Sequence, residues 1–310
     1  MNIFRDLGAL PSFENSVVTI GTYDGVHIGH QKIIKRINAE AKRVGGESIL
    51  VTFHPHPRTI VNENVRVPIL SPLEEKLDLL NYFGVQNVVV VPFNRRFSEQ
   101  SPEDYIEQFL VKNFTPNKII IGYDHKFGKN RKGDIHLLKE KAKENGFLVE
   151  EISKQEIQDI GISSTKIRKA IGKGEIILAN ELLGHNYSLR GVVVKGQQLG
   201  RQIGFPTANI QVNKQEKLIP LDGVYGVTAS FLNKKESLEL KGMLNIGTRP
   251  TVNGKDRTIE VHLFDFNGNI YGDLLEIKLL DRIRAEKQFP DLQALVKQLE
   301  LDKEACLKKI

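Results

Sequence analysis

The first half of the chain alternates short apolar runs with segments of helical periodicity, and this alternation restricts the fold more than any other feature. The runs are short and rich in Val and Ile, whereas the segments between them are longer and amphipathic. Such a pattern is typical of a parallel sheet that is covered by helices on both faces. The predicted strands comprise residues 17–21, 48–53, 88–91, 118–122 and 147–149.

Capping residues predict where several of the intervening helices begin and end. The first predicted helix spans residues 29–44, and the last spans residues 134–145 and is ended by Gly146. A second helix is expected to start at Ser71, with Pro72 at its first position and Glu74 completing a capping box. Similar residues predict another helix start near residue 101.

The turn between the first predicted strand and helix, residues 21–30, has an unusual composition. It contains three glycines, one Asp and two histidines, His27 and His30. A helix N-terminus offers unpaired N–H groups to phosphate, and glycine lets the backbone approach a ligand closely. Because the histidines are three residues apart, one helical turn can direct both at one site. We favour a nucleotide site here; a metal site and a plain turn with two surface histidines are the alternatives.

Ligands of parallel sheets bind beyond the carboxyl ends of the strands, and three further segments follow predicted strands. Residues 54–58 are rich in His and Pro and form either a stiff loop or part of a site. Residues 122–133 combine Asp124 with glycines and basic residues; phosphate and base contacts are favoured over a solvated loop. Residues 162–168 bring three hydroxyls and two cations to a helix start, which fits either a cap or a triphosphate clamp.

Bulk properties restrict the class of protein. A chain of 310 residues is long enough for two domains, and its net charge of +6 suits small anionic substrates. That charge is too weak to indicate a nucleic-acid partner by itself. The single cysteine, Cys306, cannot form an internal disulfide, so a cytoplasmic location is expected. There is no apolar run of membrane-spanning length and no signal-peptide core, so no membrane partner is expected.

The pattern changes near Gly184, where we predict the boundary between domains 1–183 and 184–310. Five short β-rich runs follow, separated by turn residues rather than by helices, which is typical of an antiparallel barrel or sandwich. A closing helix from residue 292 to about residue 308 is predicted to bury one apolar face. That face comprises Leu292, Leu295, Val296, Leu299 and Leu307.

Two stretches of the second half carry candidate chemistry. Residues 196–209 form a glycine-spaced loop in which Thr207 and Asn209 face the same way if the segment is extended. Neutral oxygens of this kind suit Mg²⁺, although a polar turn is an alternative. In the later run 259–263, alternation places Glu260 and His262 on one face. Glu260 fits either a base that activates a hydroxyl or a solvated carboxylate.

Taken together, these motifs resemble known families. The His-x-Gly-His turn and the distant Ser-Ser-Thr-x-Ile-Arg segment resemble the nucleotidyltransferase superfamily, whose fold is Rossmann-like. The Pro-Thr-Ala-Asn run, the Gly-Val-Tyr segment at 223–225, residues 245–251 and the Glu260 strand resemble riboflavin kinase. In this order they resemble, over nearly the whole chain, the bacterial bifunctional riboflavin kinase/FMN adenylyltransferase family. Tyr23 stands where that family usually has Phe, and His125 stands where it usually has an aromatic residue.

The resemblance implies two reactions and a set of site residues. Riboflavin and ATP would give FMN in the second domain, with Mg²⁺ held through Thr207 and Asn209. FMN and a second ATP would give FAD and pyrophosphate in the first. The implied catalytic residues are His27, His30 and Glu260. Implied ATP contacts of the first domain are Gly21, Tyr23, Asp24, Gly29, Asp124, Ser163, Ser164, Thr165 and Arg168. Implied ATP or flavin contacts of the second are Gly196, Gly200, Arg201, Gly204, Pro206, Thr207, Asn209, Tyr225 and Arg284.

Two alternatives to a bifunctional enzyme stay open at this point. A degenerate copy would keep only one working site, although both sets of motifs are complete. A flavin-binding regulator would keep the fold without catalysing a reaction, and its basic loops would then contact RNA. The sequence shows no basic surface interleaved with aromatic residues of the kind that single strands need.

Overall fold

The structure is a computed structural model that describes residues 1–61, 67–153, 156, 161–196, 199–213, 216–234, 238–251 and 254–309. The chain divides into two compact units, Met1–Ser164 and Thr165–Ile310. The boundary that we predict at residues 183 and 184 stays a prediction. Within the described residues, no helix combines the length and the apolar content that crossing a membrane requires.

The first unit is built on a six-stranded parallel sheet, as the alternation of strands and helices predicts. Its strand order is β1-β4-β3-β2-β5-β6, and every pairing within it is parallel. The strands are β1 Asn2–Phe4, β2 Val17–Ile20, β3 Ser48–His54, β4 Asn87–Pro92, β5 Lys118–Gly122 and β6 Leu148–Ile152. Because β2 lies inside the sheet between β3 and β5, the turn that follows it emerges near the centre of the carboxyl edge.

Helices cover both faces of this sheet, and each face has its own hydrophobic core. On β3, Ile49 and Val51 face one core and Leu50 faces the other, so the fully apolar strand is explained by burial on two sides. The α-helices are Ile28–Arg43, Pro57–Val61, Leu73–Tyr82, Arg95–Ser98, Pro102–Asp104, Lys112–Phe114 and Ile135–Asn145. A π-helix, Tyr105–Val111, joins two of them, and 3₁₀ turns span Leu7–Ala9 and Lys129–Arg131.

Two of the predicted helix starts are confirmed, and one is wrong. The Ser101 and Asp134 side chains each cap a helix, and Gly146 ends the second of these in a left-handed conformation. The capping box at Ser71 does not form: the helix begins at Leu73, and Pro72 at its N-cap makes no side-chain cap bond. The Asp24 carboxylate accepts from the Ser71 N–H instead, at 3.0 Å.

The second unit is a closed antiparallel barrel of six strands, in the order β10-β11-β8-β7-β12-β9, which confirms the predicted antiparallel barrel. The strands are β7 Ser188–Val194, β8 Ala208–Gln211, β9 Gly223–Phe231, β10 Leu240–Thr251, β11 Gly254–Leu263 and β12 Leu274–Arg284. The helices are Ser164–Lys173, Ile176–Leu183, Leu199–Gln202 and Leu292–Lys309. The first of them begins at the last residue of the first unit. Gly184 ends the second of these helices in a left-handed conformation.

The C-terminal helix is confirmed, but its predicted buried face is wrong in part. Leu292 and Leu307 are 59% and 45% exposed, whereas Asp302 and Cys306 are its buried residues. Leu299 packs against a small cluster that also contains Cys306. The sequence pattern therefore identifies the helix but places its inner face incorrectly, because a buried ion pair at Asp302 replaces an apolar contact.

Candidate active sites

The two histidines of the first turn stack on each other at the carboxyl end of β2. Their ring centroids lie 3.6 Å apart at an interplanar angle of 14°. His27 is the N-cap of the helix Ile28–Arg43, where its ring accepts from the His30 N–H at 3.4 Å. His27 is 6% exposed, so the alternative of two surface histidines is wrong. The buried Nδ1 of His30 has no hydrogen-bond partner among the residues that the structure describes.

The electrostatic surroundings of His30 favour its neutral form. Burial lowers the pKa of His30 well below the ordinary value, and the nearby charges of His27 and Lys76 lower it further. Lys76 belongs to the helix Leu73–Tyr82 and is only 6% exposed. Its ammonium group donates to the Thr22 carbonyl at 3.1 Å and to the Thr52 hydroxyl at 2.9 Å. A buried cation therefore ties the chain segment that leaves β2 to a side chain of β3.

Three of the implied ATP contacts have structural partners of their own. The Tyr23 hydroxyl lies 2.7 Å from the Thr19 hydroxyl, and burial raises the pKa of Tyr23. The Asp24 carboxylate accepts from the Leu70 N–H at 2.9 Å, and the Asp24 carbonyl accepts from the Ser164 hydroxyl at 3.2 Å. Asp24 thus fixes the turn to two distant segments, one of which carries Ser164.

Backbone geometry explains the glycines of this turn only in part. Gly25 has a φ of 82°, but Tyr23 and Val26 also have positive φ values, 49° and 38°. Non-glycine residues in this region are strained, and such strain concentrates at functional sites. Gly21 and Gly29 lie at the end of β2 and in the first turn of the following helix.

The other implied ATP contacts of the first domain are exposed or belong to the second unit. Asp124 is exposed in the loop after β5. His125 in that loop has its pKa lowered to about 4, first by burial and then by Arg131. Ser163 is exposed just before its helix. Thr165 and Arg168 belong to the second unit, so their contact with a nucleotide stays a prediction.

In the barrel, the implied metal ligands lie next to the implied catalytic base, Glu260. The Thr207 hydroxyl donates to the Glu260 carboxylate at 3.3 Å, and Asn209 on β8 is the register partner of Glu260 on β11. Glu260 is 8% exposed, so it is not the solvated carboxylate that the sequence left open. His262, on the same face of β11, contacts the Pro206 carbonyl through its Nδ1 at 2.8 Å.

The glycine-spaced loop before β8 is shaped by close approaches. A Cβ on Gly196 would lie 2.0 Å from the Asn209 amide nitrogen, and one on Gly200 would lie 2.2 Å from the Phe205 carbonyl oxygen. Gly204 has a φ of 80°, which favours glycine. These glycines let the loop fold back so that Thr207 and Asn209 meet Glu260, while Arg201 stays exposed.

Two implied flavin or ATP contacts of the barrel are engaged in internal bonds. The Tyr225 hydroxyl donates to the Leu221 carbonyl, and burial raises the pKa of Tyr225 to about 12. Arg284 makes a bidentate ion pair with Asp302 of the C-terminal helix, with its shortest distance at 2.7 Å. Both residues thus connect separate segments of the barrel unit. Their direct contact with substrate stays a prediction.

Lys76 and the hydrogen bond of His262 are the main features that sequence reasoning missed. Lys76 falls on the apolar face of its helix, between Leu73, Leu77 and Leu80, all of which are buried. A lysine at an inward position is the one signal that could have indicated a buried cation. The partner of His262 lies 56 residues earlier in the chain, so no local pattern indicates it.

Comparison with known proteins identifies both halves of the chain. Residues 10–166 match the FAD synthetase family, and residues 183–310 match the riboflavin kinase family. A bifunctional riboflavin kinase/FMN adenylyltransferase of Haemophilus influenzae is 38% identical, covering 99% of this chain and 98% of that protein. One of Bacillus subtilis is 36% identical, covering 94% and 92%. A crystal structure described as a macrolide-efflux protein of Streptococcus pneumoniae matches with a TM-score of 0.86, at 29% identity over 98% of both chains.

A nucleotidyltransferase-type parallel sheet and a kinase-type barrel in one chain define a two-domain transferase. The chain belongs to the bifunctional riboflavin kinase/FMN adenylyltransferase family, and both enzymatic domains are present.

Proposed function

We propose that this chain converts riboflavin to FAD in two ATP-dependent steps, one in each domain. The observation that carries the proposal is the contact between Thr207 and Glu260, with Asn209 opposite in the barrel register. This contact supports the kinase step, because a candidate base then lies beside oxygens that suit a metal–nucleotide complex. Riboflavin, FMN and ATP are then the substrates, and nucleic acid and membranes have no part in the reaction.

In the kinase step, Glu260 takes the proton from the 5′-hydroxyl of riboflavin as that oxygen attacks the γ-phosphorus of ATP, and ADP leaves. The Thr207 hydroxyl and the Asn209 amide oxygen fit Mg²⁺, since this ion prefers oxygen ligands and keeps several waters and phosphate oxygens. When bound, Mg²⁺ neutralises the charge that develops on the transferred phosphoryl group. Gly196, Gly200 and Gly204 shape the loop around these residues.

In the adenylylation step, a phosphate oxygen of FMN attacks the α-phosphorus of ATP and pyrophosphate leaves. The nucleophile is already an anion, so no strong base is required, and catalysis consists of positioning and charge stabilisation. His27 and His30 contact the triphosphate, and the Ser164 hydroxyl, which is bonded to the same turn, lies at its far end. Support comes from the stacked histidines and from the buried His30 Nδ1, which lacks a hydrogen-bond partner among the described residues.

A single incubation tests the proposal. The full chain is mixed with riboflavin, ATP and Mg²⁺, and the flavins are separated by chromatography. Formation of FAD supports both steps. Accumulation of FMN alone contradicts the adenylylation step, and unchanged riboflavin contradicts the kinase step and favours a binding protein.

The expected cytoplasmic location belongs to the same proposal. The sequence contains one cysteine, Cys306, which is free and buried in the structure. Fractionation of cells that produce the chain, with flavin products measured in each fraction, tests this location.

A further inference from the structure

His262 lies two residues beyond Glu260 on β11 and is equally buried, at 8% exposure. Its Nδ1 is 2.8 Å from the Pro206 carbonyl oxygen. A carbonyl oxygen only accepts hydrogen bonds, so this contact requires the proton to be on Nδ1. The hydrogen bond therefore fixes both the tautomer and the orientation of the ring.

The partner of this bond lies directly before the candidate metal-binding segment. Pro206 precedes Thr207, and β8 begins only at Ala208. Proline has no N–H, so its carbonyl is the one backbone group through which hydrogen bonding can fix it. The Thr207 side chain then reaches Glu260, on the same strand as His262. One strand thus contacts the loop twice, at Pro206 and at Thr207.

Two aromatic rings lie near the His262 ring. Its centroid lies 5.3 Å from that of Phe205 and 5.7 Å from that of Phe264. Burial lowers the pKa of His262, which favours the neutral ring with its single N–H. The ring can therefore donate to Pro206 without bringing a charge beside the nucleotide phosphates.

We propose that His262 is a positioning residue of the riboflavin kinase site. Its Nδ1–H holds the Pro206 carbonyl so that the Thr207 hydroxyl meets the magnesium–ATP complex next to Glu260. This inference rests on the proposed kinase function. It assigns His262 an effect on nucleotide binding, and no contact with the reacting atoms.

The test uses the full-length chain and two variants that differ in where they carry an N–H. In His262→Asn the amide nitrogen lies near the former Nδ1 position, whereas His262→Gln extends its amide beyond it. We expect His262→Gln to raise the KM for magnesium–ATP in riboflavin phosphorylation by about tenfold, the usual scale for one lost hydrogen bond. The Asn variant should retain a KM close to that of the original protein. FMN adenylylation by the same samples should not change.

Phe264→Leu is the matched control, because it disturbs the packing around His262 and leaves the Pro206 hydrogen bond available. Its KM should stay close to the original value. Equal KM values for the Asn and Gln variants, or a tenfold rise for Phe264→Leu, would overturn the positioning role. If the unmodified chain does not phosphorylate riboflavin at all, the proposed kinase function fails and the inference fails with it.

Discussion

Lys76 illustrates how one buried side chain affects a site that it was not expected to belong to. Its ammonium group holds the Thr22 carbonyl and the Thr52 hydroxyl, and its charge helps to lower the pKa of His30. Burying an ammonium group is costly unless hydrogen bonds compensate for the lost water. The positive charge is therefore held inside the site before any anionic substrate arrives, which reduces the reorganisation needed on binding.

The depressed pKa of His30 predicts that ATP binding takes up protons. In the free protein His30 is neutral at neutral pH, because its pKa lies well below the ordinary value. A triphosphate beside the ring favours the charged form and raises that pKa, so ATP affinity at this site should increase as pH falls. Calorimetric titrations at about pH 6, in buffers of different ionisation enthalpy, measure this uptake.

His30→Asn is the control for that experiment. The buffer-dependent part of the binding heat should decrease in this variant, whereas the heat from the kinase site should persist. Identical proton uptake in the original protein and in His30→Asn would show that another group is responsible.

At the scale of elements, the C-terminal helix is fastened by the ion pair between Arg284 and Asp302. The side chains are 20% and 2% exposed, and the Gln298 amide also donates to Asp302. Removing one partner of a buried pair leaves an uncompensated charge. The helix is thus attached to the end of β12 by polar contacts as well as by the apolar cluster around Cys306.

We therefore predict that Asp302→Ala lowers the free energy of unfolding of the barrel unit by about 3 kcal/mol. Denaturant unfolding, followed separately for the two units by their enzymatic activities, measures the change. Lys309→Met is a suitable comparison, because its ion pair with Asp281 is half-exposed and should contribute at most about 1 kcal/mol. Equal effects of the two substitutions would contradict a structural role for the Arg284–Asp302 pair.

The elements that could be predicted from the sequence are those whose determinants are local. Asp134 and Gly146 lie directly at the two ends of the helix that they cap, and β3 can be recognised from its own residues. The capping box at Ser71 fails because Asp24, which lies far away in the chain, binds the Ser71 N–H instead. Strands β1 and β8 were not predicted: they have only three and four residues, too few for a pattern to be distinctive.

The same reasoning applies to the sites. The motifs that contain His27, His30 and Glu260 can be recognised from the sequence, because each is short and carries unusual residue types. The contacts that hold them cannot, since they join residues far apart: Lys76 to Thr22 and Thr52, and His262 to Pro206. Catalytic candidates are therefore easier to predict than the residues that position them.

For the whole molecule, two candidate sites in two compact units predict that the two activities can be separated by mutation. His27→Ala should lower FMN adenylylation on the order of 10²-fold, the usual scale for losing one transition-state donor, and leave riboflavin phosphorylation unchanged. Glu260→Gln should do the reverse, by about 10²-fold or more. Rates of FMN and FAD formation, measured on the same folded samples, check this. Loss of both activities in either variant would contradict the assignment of two sites.

The position of the domain boundary leads to a second prediction at this scale. The Asn180 amide donates to the Leu279 carbonyl, and the Tyr187 N–H donates to the Asn180 side chain. The helix Ile176–Leu183 is therefore bonded to the barrel, although our sequence-based boundary assigns it to the first domain. A fragment that starts at residue 165 should unfold at a temperature several degrees above that of one that starts at residue 184. Equal melting temperatures would favour the boundary at residues 183 and 184.

The thiol of Cys306 can report on local opening of the C-terminal helix. It is the one cysteine among 310 residues, it is fully buried on the inner face of the C-terminal helix, and burial raises the pKa of its thiol to about 12. Only the thiolate reacts with alkylating reagents, so in the closed state the side chain is both shielded and chemically inert. The rate of thiol labelling therefore records how often this helix leaves the barrel, without any engineered probe.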